Sequence, residues 1–203
     1  MFPAFILVTL LAFLLGALPF AVWLGRRAGH DPRRVGDGNP GATNALRSGG
    51  WKLGLAVLML DVAKAALPVG LAYQVFAWRG GWMWTIAMAP VIGHAFSPFL
   101  GGRGGKGVAS ALGVWIGLTL WRVPLAALPA LLASFAILTL SGWAVLVALL
   151  ATAVYLLCFE PEPLLLAVLA GQAVLLAWKY RSDLRHRPRI RRPRATIGRQ
   201  STN

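Results

Sequence analysis

Apolar residues are gathered into long runs, and polar residues into the connectors between them. The runs fall at about 2–24, 53–78, 81–100, 107–121, 123–140, 142–158 and 163–178. A helix needs about 20 apolar residues to cross a bilayer's hydrocarbon core, so the pattern predicts an all-α membrane protein with seven transmembrane helices. The fourth to seventh runs are short and separated by minimal turns. Pro124, Pro129, Pro161 and Pro163 sit near ends or turns, where a missing backbone donor does least damage. The first run is too long for a leader's apolar region, has no basic residue before it, and is followed by Arg26 and Arg27. It is predicted to be the first crossing helix. No internal repeat and no soluble domain stand out, so residues 1–180 are expected to form one membrane domain and 181–203 a basic cytoplasmic tail.

Composition agrees with this picture. Of 203 residues, 58% are hydrophobic and 13% charged, more apolar surface than one soluble core could hide. The single cysteine, Cys158, lies in an apolar run and reads as a small hydrophobe. The formal charge of +14 matters chiefly through its placement. With seven crossings, the first and third connectors and the tail share one side and carry nearly all the Lys and Arg. Only Arg79 and Arg122 fall opposite, and Lys64 lies within a span. The positive-inside rule then puts the amino terminus outside, and both glycine-rich connectors and the C-terminus in the cytoplasm. Tryptophans mark the same borders, with only Trp115 deep in a run.

Two connectors carry candidate chemistry. The first includes Gly36-Asp37-Gly38-Asn39-Pro40-Gly41-Ala42-Thr43-Asn44, followed by Arg47. Glycine lets backbone N–H groups crowd an anion, short polar side chains add contacts, and arginine offers a two-pronged fork to phosphate. The same residues equally suit a surface turn with Asn or Thr capping the next helix. The second connector, Gly101-Gly102-Arg103-Gly104-Gly105-Lys106-Gly107, resembles a nucleotide-binding loop only superficially. Gly107 stands where Ser or Thr is needed, and a membrane span precedes it, which argues against nucleotide hydrolysis. Glycines with Arg103 and Lys106 at a helix start still suit a phosphate, or an anionic lipid headgroup.

Asp61 and Lys64 lie inside the second run on one helical face, so they should pair or meet a polar cavity. His94 stands near the cytoplasmic end of the third run, placed to hold the glycine loop, move a proton or hydrogen-bond a neighbouring helix. No His or Cys spacing suggests a metal, and no Gly-x-Ser-x-Gly elbow supports a covalent serine mechanism. The cationic tail suits acidic lipid and lacks the aromatic residues of a nucleic-acid reader.

At Leu18-Pro19-Phe20, the Gly36–Arg47 block, Asp61-Val62-Ala63-Lys64, Gly93-His94-Ala95-Phe96-Ser97-Pro98 and Gly104-Gly105-Lys106-Gly107-Val108-Ala109, the chain resembles the small bacterial membrane acyltransferases that use acyl-phosphate to acylate glycerol 3-phosphate. The resemblance implies lysophosphatidic acid and phosphate as products, a role in phospholipid synthesis, a multi-pass inner-membrane location, a site facing the cytoplasm, no cofactor and no metal. A monomer embedded in membrane lipid is expected. Arg47 and Lys106 would hold substrate phosphates, with Gly38, Asn39, Thr43, Asn44, Gly104, Gly105 and Gly107 shaping the cradle. Asp61, Lys64, His94, Tyr180 and Asp183 would support it. Two departures stand out. Asp37 occupies a position usually held by Ser and is a candidate general base. Where a His-Arg-x-Asn motif is usual, the chain offers Tyr180, Arg181 and Asp183, the register that keeps the distance from the membrane, or, slid six residues, His186 and Arg187 with Arg189 in the Asn place. These departures keep two alternatives open, a different phosphorylated acceptor or a non-catalytic lipid-binding or transport paralogue.

Overall fold

In the computed structural model, which describes residues 2–191, the chain folds into helices, and no strand occurs among the described residues. The first apolar run makes two helices, α1 (Phe2–Ala17) and α2 (Phe20–Arg27). Pro19 separates them because it has no N–H to continue the ladder. Two carbonyls freed at the break are claimed from elsewhere. Lys64 Nζ donates to Leu18 O at 2.9 Å, and Ser97 Oγ to Ala17 O at 2.6 Å. An interrupted helix inside a membrane needs such replacement donors.

α3 (Ala42–Gly70) extends through a π-helical turn, Leu71–Val75. Gly50 interrupts it at φ 80° and ψ −178°, a conformation that favours glycine. Residues 42–49 fold back there onto the long helix, close enough that a Cβ on Gly54 would lie 2.6 Å from Leu46 Cβ. In a straight helix eight residues span about 12 Å. The short arm carries Thr43, Asn44 and Arg47, which is how the reversal bears on the site.

The remaining helices are α4 (Gly81–Ala95), α5 (Val108–Thr119), α6 (Arg122–Ile137), α7 (Ser141–Phe159), α8 (Pro163–Lys179) and the short α9 (Arg181–Leu184). Each of the seven apolar runs is helical, but they are unequal. Four stretches are long and apolar enough to cross a membrane: Ala4–Arg27, Ala42–Val75, Gly81–Leu100 and Ser141–Phe159. α5, α6 and α8 have 12, 16 and 17 residues, short of the length expected for a crossing. α5 buries Ser110, Ala111, Val114, Trp115, Leu118 and Thr119, so protein rather than lipid surrounds most of it.

α3 packs on α5, α1 on α4, and α6 on α7. Small residues let these backbones approach. A side chain on Gly113 would strike the Val62 carbonyl of α3, and one on Gly93 the Phe13 carbonyl of α1. The core gathers Val69, Met83, Ile86, Val114, Leu118, Leu165 and Val168. Leu7, Met59, Leu67, Leu125, Leu150 and Val174 face outward, as a lipid-contacting surface requires.

Beyond α9 the chain returns along the α6–α7 connector. Thr139 N donates to Arg189 O at 2.9 Å, and Arg191 N to Ile137 O at 2.8 Å. Residues 192–203 of the expected tail lie outside the described residues.

Candidate active site

The first glycine connector folds around Asp37. Its Oδ1 accepts from Asn44 Nδ2 at 2.8 Å and from Asn39 N at 3.2 Å, while Asn44 Nδ2 also reaches Asn39 O at 3.1 Å. Arg47, one turn further along the short arm, directs Nη1 to Asn44 Oδ1 at 3.5 Å. Gly36 must lack a side chain here, since a Cβ would sit 2.5 Å from Asn44 Oδ1 and 2.6 Å from Arg47 Nη1. Gly38 has φ 72° and closes a turn through its N–H to Val35 O at 3.1 Å.

Neither Thr43 nor Asn44 caps the helix. The cap position is Gly41, without a side-chain bond, and Asn44 turns back from the first turn toward Asp37. Thr43 is exposed, and no hydrogen bond holds its hydroxyl among the described residues.

The second connector lies against the end of α4. Gly105 N donates to His94 O at 3.0 Å. A side chain on Gly104 would strike that carbonyl, and one on Gly105 would strike the imidazole. Lys179, at the end of α8, braces the loop from the other side. Its Nζ donates to Ala95 O at 2.7 Å and to Gly104 O at 3.2 Å. Gly107, at φ 95°, then starts α5.

The two connectors meet at one contact. Lys106 Nζ lies 2.8 Å from Asp37 Oδ2, with the buried Tyr180 ring 4.3 Å away on its cation–π face. Asp183 accepts from Gly142 N at 2.9 Å and so fixes the Tyr180 turn on α7.

A buried layer supports this surface. Asp61 and Lys64 pair at 2.7 Å with both side chains almost fully enclosed. His94 Nδ1 approaches Asp61 Oδ1 at 3.7 Å, and Ser110 Oγ donates to Asp61 O at 3.2 Å. With the Lys64–Leu18 bond, this network joins the α1–α2 break, α3, α4 and α5 beneath the glycine loops.

Burial by itself would raise the Asp37 pKa. The hydrogen bond and charge of Lys106, followed by the Asn39 N–H and the Asn44 amide, outweigh it and hold the group below its ordinary value. The carboxylate is thus held in its charged form against Lys106, a pairing that any role of Asp37 as general base would have to break. Burial chiefly, with Asp183 and Asp37 nearby, pushes the Tyr180 hydroxyl upward and keeps it a neutral phenol.

Ser97, Ser110 and Lys179 were missed as supports by sequence reasoning. Lys179 reads from sequence as the first cation of the tail, and nothing in its residue type marks its reach to the second loop. No cluster of His, Cys, Asp or Glu able to hold a metal occurs among the described residues. The arrangement presents Arg47, Lys106 and glycine backbone around one small polar unit, which suits gripping a phosphate.

Comparison with known proteins agrees with this chemistry. The family described as glycerol-3-phosphate acyltransferase matches residues 6–190. The glycerol-3-phosphate acyltransferase of Pseudomonas aeruginosa is 44% identical over 187 residues, covering 88% of this chain and 93% of that protein. The enzyme of the same name from Thioalkalivibrio sulfidiphilus is 38% identical over 193 residues, covering 95% and 93%. Among solved structures, PlsY, an integral membrane glycerol 3-phosphate acyltransferase, in its glycerol 3-phosphate form aligns with TM-score 0.81 at 30% identity, over 90% of each chain. Its lysophosphatidic acid form aligns at TM-score 0.78 and 27% identity, also over 90% of each.

Proposed function

The chain belongs to the glycerol-3-phosphate acyltransferase family, and from that premise we propose that it transfers a fatty acyl group from acyl-phosphate to glycerol 3-phosphate. A hydroxyl oxygen of the acceptor attacks the acyl carbonyl, the bond from that carbon to the phosphate oxygen breaks, and lysophosphatidic acid and inorganic phosphate leave. The hydroxyl proton departs to the released phosphate or to water. Because the donor already carries a good leaving group, positioning and charge neutralisation can supply much of the acceleration.

The observation carrying this reading is the 2.8 Å Asp37–Lys106 contact, which draws both glycine connectors and Arg47 around one small volume. Arg47 and Lys106 hold the phosphates, while Gly38, Asn39, Asn44, Gly104, Gly105 and Gly107 shape the cradle. Thr43 offers its exposed hydroxyl at the rim. Asp37 acts as a latch on Lys106 and Asn44, released when a phosphate takes its place. Asp61, Lys64, His94, Tyr180 and Asp183 position the loops.

The same grouping of contacts supports a seven-crossing topology with the site in the cytoplasm. The first and third connectors, the α6–α7 connector and residues 179–191 bond to one another at one end. At the opposite end, Tyr73 bonds Glu162 at 3.3 Å, and Arg122 pairs with Glu160 at 3.0 Å. The cation-rich end belongs in the cytoplasm. A monomer in the plasma membrane completes the reading, with the short α5, α6 and α8 crossing within a bundle that shields them.

A second reading keeps acyl transfer but changes the acceptor. It is favoured by Asp37, whose carboxylate offsets part of the Lys106 charge and repels a phosphate. Phosphate release from palmitoyl-phosphate, measured with glycerol 3-phosphate, with other polyol phosphates and with none, tests both readings. Release that depends on glycerol 3-phosphate is expected. Release only with another polyol phosphate favours the second reading, and no release with any acceptor overturns both.

A further inference from the structure

A second cationic recess adjoins the cradle. The end of α2, the turn at Pro32–Arg34 and the back of the short arm border an open cleft of about 570 Å³, lined by Arg26, His30, Arg33, Arg34, Arg47 and Ser48 among others. Its walls are built rather than incidental. His30 N bonds Gly25 O at 2.8 Å, a side chain on Gly25 would strike the His30 carbonyl, and Pro32 is buried. The one carboxylate on the lining, Asp31, is already taken by Arg33, at 3.0 Å from Nε and 2.7 Å from Nη2. Among the described residues, no hydrogen bond or ion pair engages the guanidinium of Arg26 or Arg34. Asp31 also faces Arg26 electrostatically, but one carboxylate among four arginines leaves the cleft with a net positive charge, and it touches the cradle through Arg47, the residue common to both.

We propose that this Arg26–Arg33–Arg34 cleft is a second phosphate site, a capture position for the phosphate monoester of the free acceptor before it enters the cradle. Fork-shaped guanidinium groups match a phosphomonoester dianion, and a cleft of net positive charge raises the local concentration of its counter-ion. Arg47, reaching both volumes, lets the phosphate pass from one to the other without leaving cationic contact. Neither Arg26 nor Arg34 takes part in the cradle, so removing them weakens capture while sparing the chemical step. The inference rests on the acceptor reading above, yet binding of phosphate can be tested without turnover.

The experiment uses full-length protein in zwitterionic nanodiscs. Inorganic phosphate is titrated into wild type, R26Q/R34Q and K106A. Two binding steps are expected in wild type and one in each variant. A single step in wild type that R26Q/R34Q leaves intact overturns the proposal, whatever the enzyme's activity. In the turnover arm, R26Q/R34Q is expected to lower kcat/KM for glycerol 3-phosphate by about five- to tenfold at low salt, with kcat within twofold and a flatter salt dependence. Unchanged kcat/KM overturns the capture role. Unchanged kcat/KM together with weaker retention of lysophosphatidic acid in the nanodisc assigns the cleft to a lipid phosphate and likewise overturns capture of free acceptor. Absence of any acceptor-dependent turnover in wild type defeats the acyl-transfer reading instead, and leaves the titration to judge the cleft.

Discussion

Asp37→Asn separates a latch from a base. The substitution removes one negative charge 2.8 Å from Lys106 Nζ, while a carboxamide oxygen can still accept from Asn44 and Asn39. The Asp37 side chain is 49% exposed, so the pair falls in the range of surface ion pairs, at most about 1 kcal/mol. Removing repulsion between the carboxylate and an incoming phosphate dianion adds about 1 kcal/mol in a largely aqueous setting. Phosphate affinity should therefore rise by about 1–2 kcal/mol, and KM for glycerol 3-phosphate fall about five- to thirtyfold. Phosphate release from palmitoyl-phosphate, followed against acceptor concentration, reads both constants. The latch account expects the lower KM with kcat within about threefold, since no chemical step loses a group. A kcat lower by a hundredfold or more would establish Asp37 as the base and refute the reasoning. The depressed pKa sets the matching pH response. The latch is fully charged above the ordinary carboxylate value and is lost as pH falls through the lower folded value, so it holds throughout the neutral range.

Three further predictions follow from the supports. Lys179→Met keeps most of the side chain's bulk but loses both bonds to the second loop, so kcat/KM should fall about tenfold or more while thermal unfolding in detergent moves little. Asp61→Asn leaves Lys64 buried without its charge partner and should destabilise the fold by about 3–5 kcal/mol, whereas D61L/K64L should restore only part of that loss in the same unfolding assay, because Leu18 O then loses its donor. Gly105→Ala drives a methyl group into the His94 imidazole and should abolish turnover by displacing Lys106, with the helical signal in circular dichroism preserved.

Much of the architecture was legible because membrane helices advertise themselves by hydropathy, and all seven apolar runs proved helical. Their unequal lengths were not legible. A run such as 107–121 is apolar whether it meets lipid or, like α5, is enclosed by other helices. The break at Pro19 and the reversal at Gly50 also escaped, since hydropathy is blind to direction and one glycine does not announce a fold-back. At the site, the convergence of the two glycine connectors was expected, and the Asp61–Lys64 pairing was one of two outcomes left open. Residue type said nothing of Lys106 meeting Asp37 across 69 positions of chain, or of Lys179 reaching back to Gly104. Those are tertiary contacts made by flexible side chains.

The account depends most on two connectors acting as one phosphate cradle. Isothermal titration of glycerol 3-phosphate into wild type, Arg47→Ala and Lys106→Ala, each confirmed as membrane-inserted, examines that claim with no assumption about the donor. Loss of a charge-assisted contact should weaken binding by about tenfold or more in each variant. Wild-type affinity in either one would contradict the shared cradle.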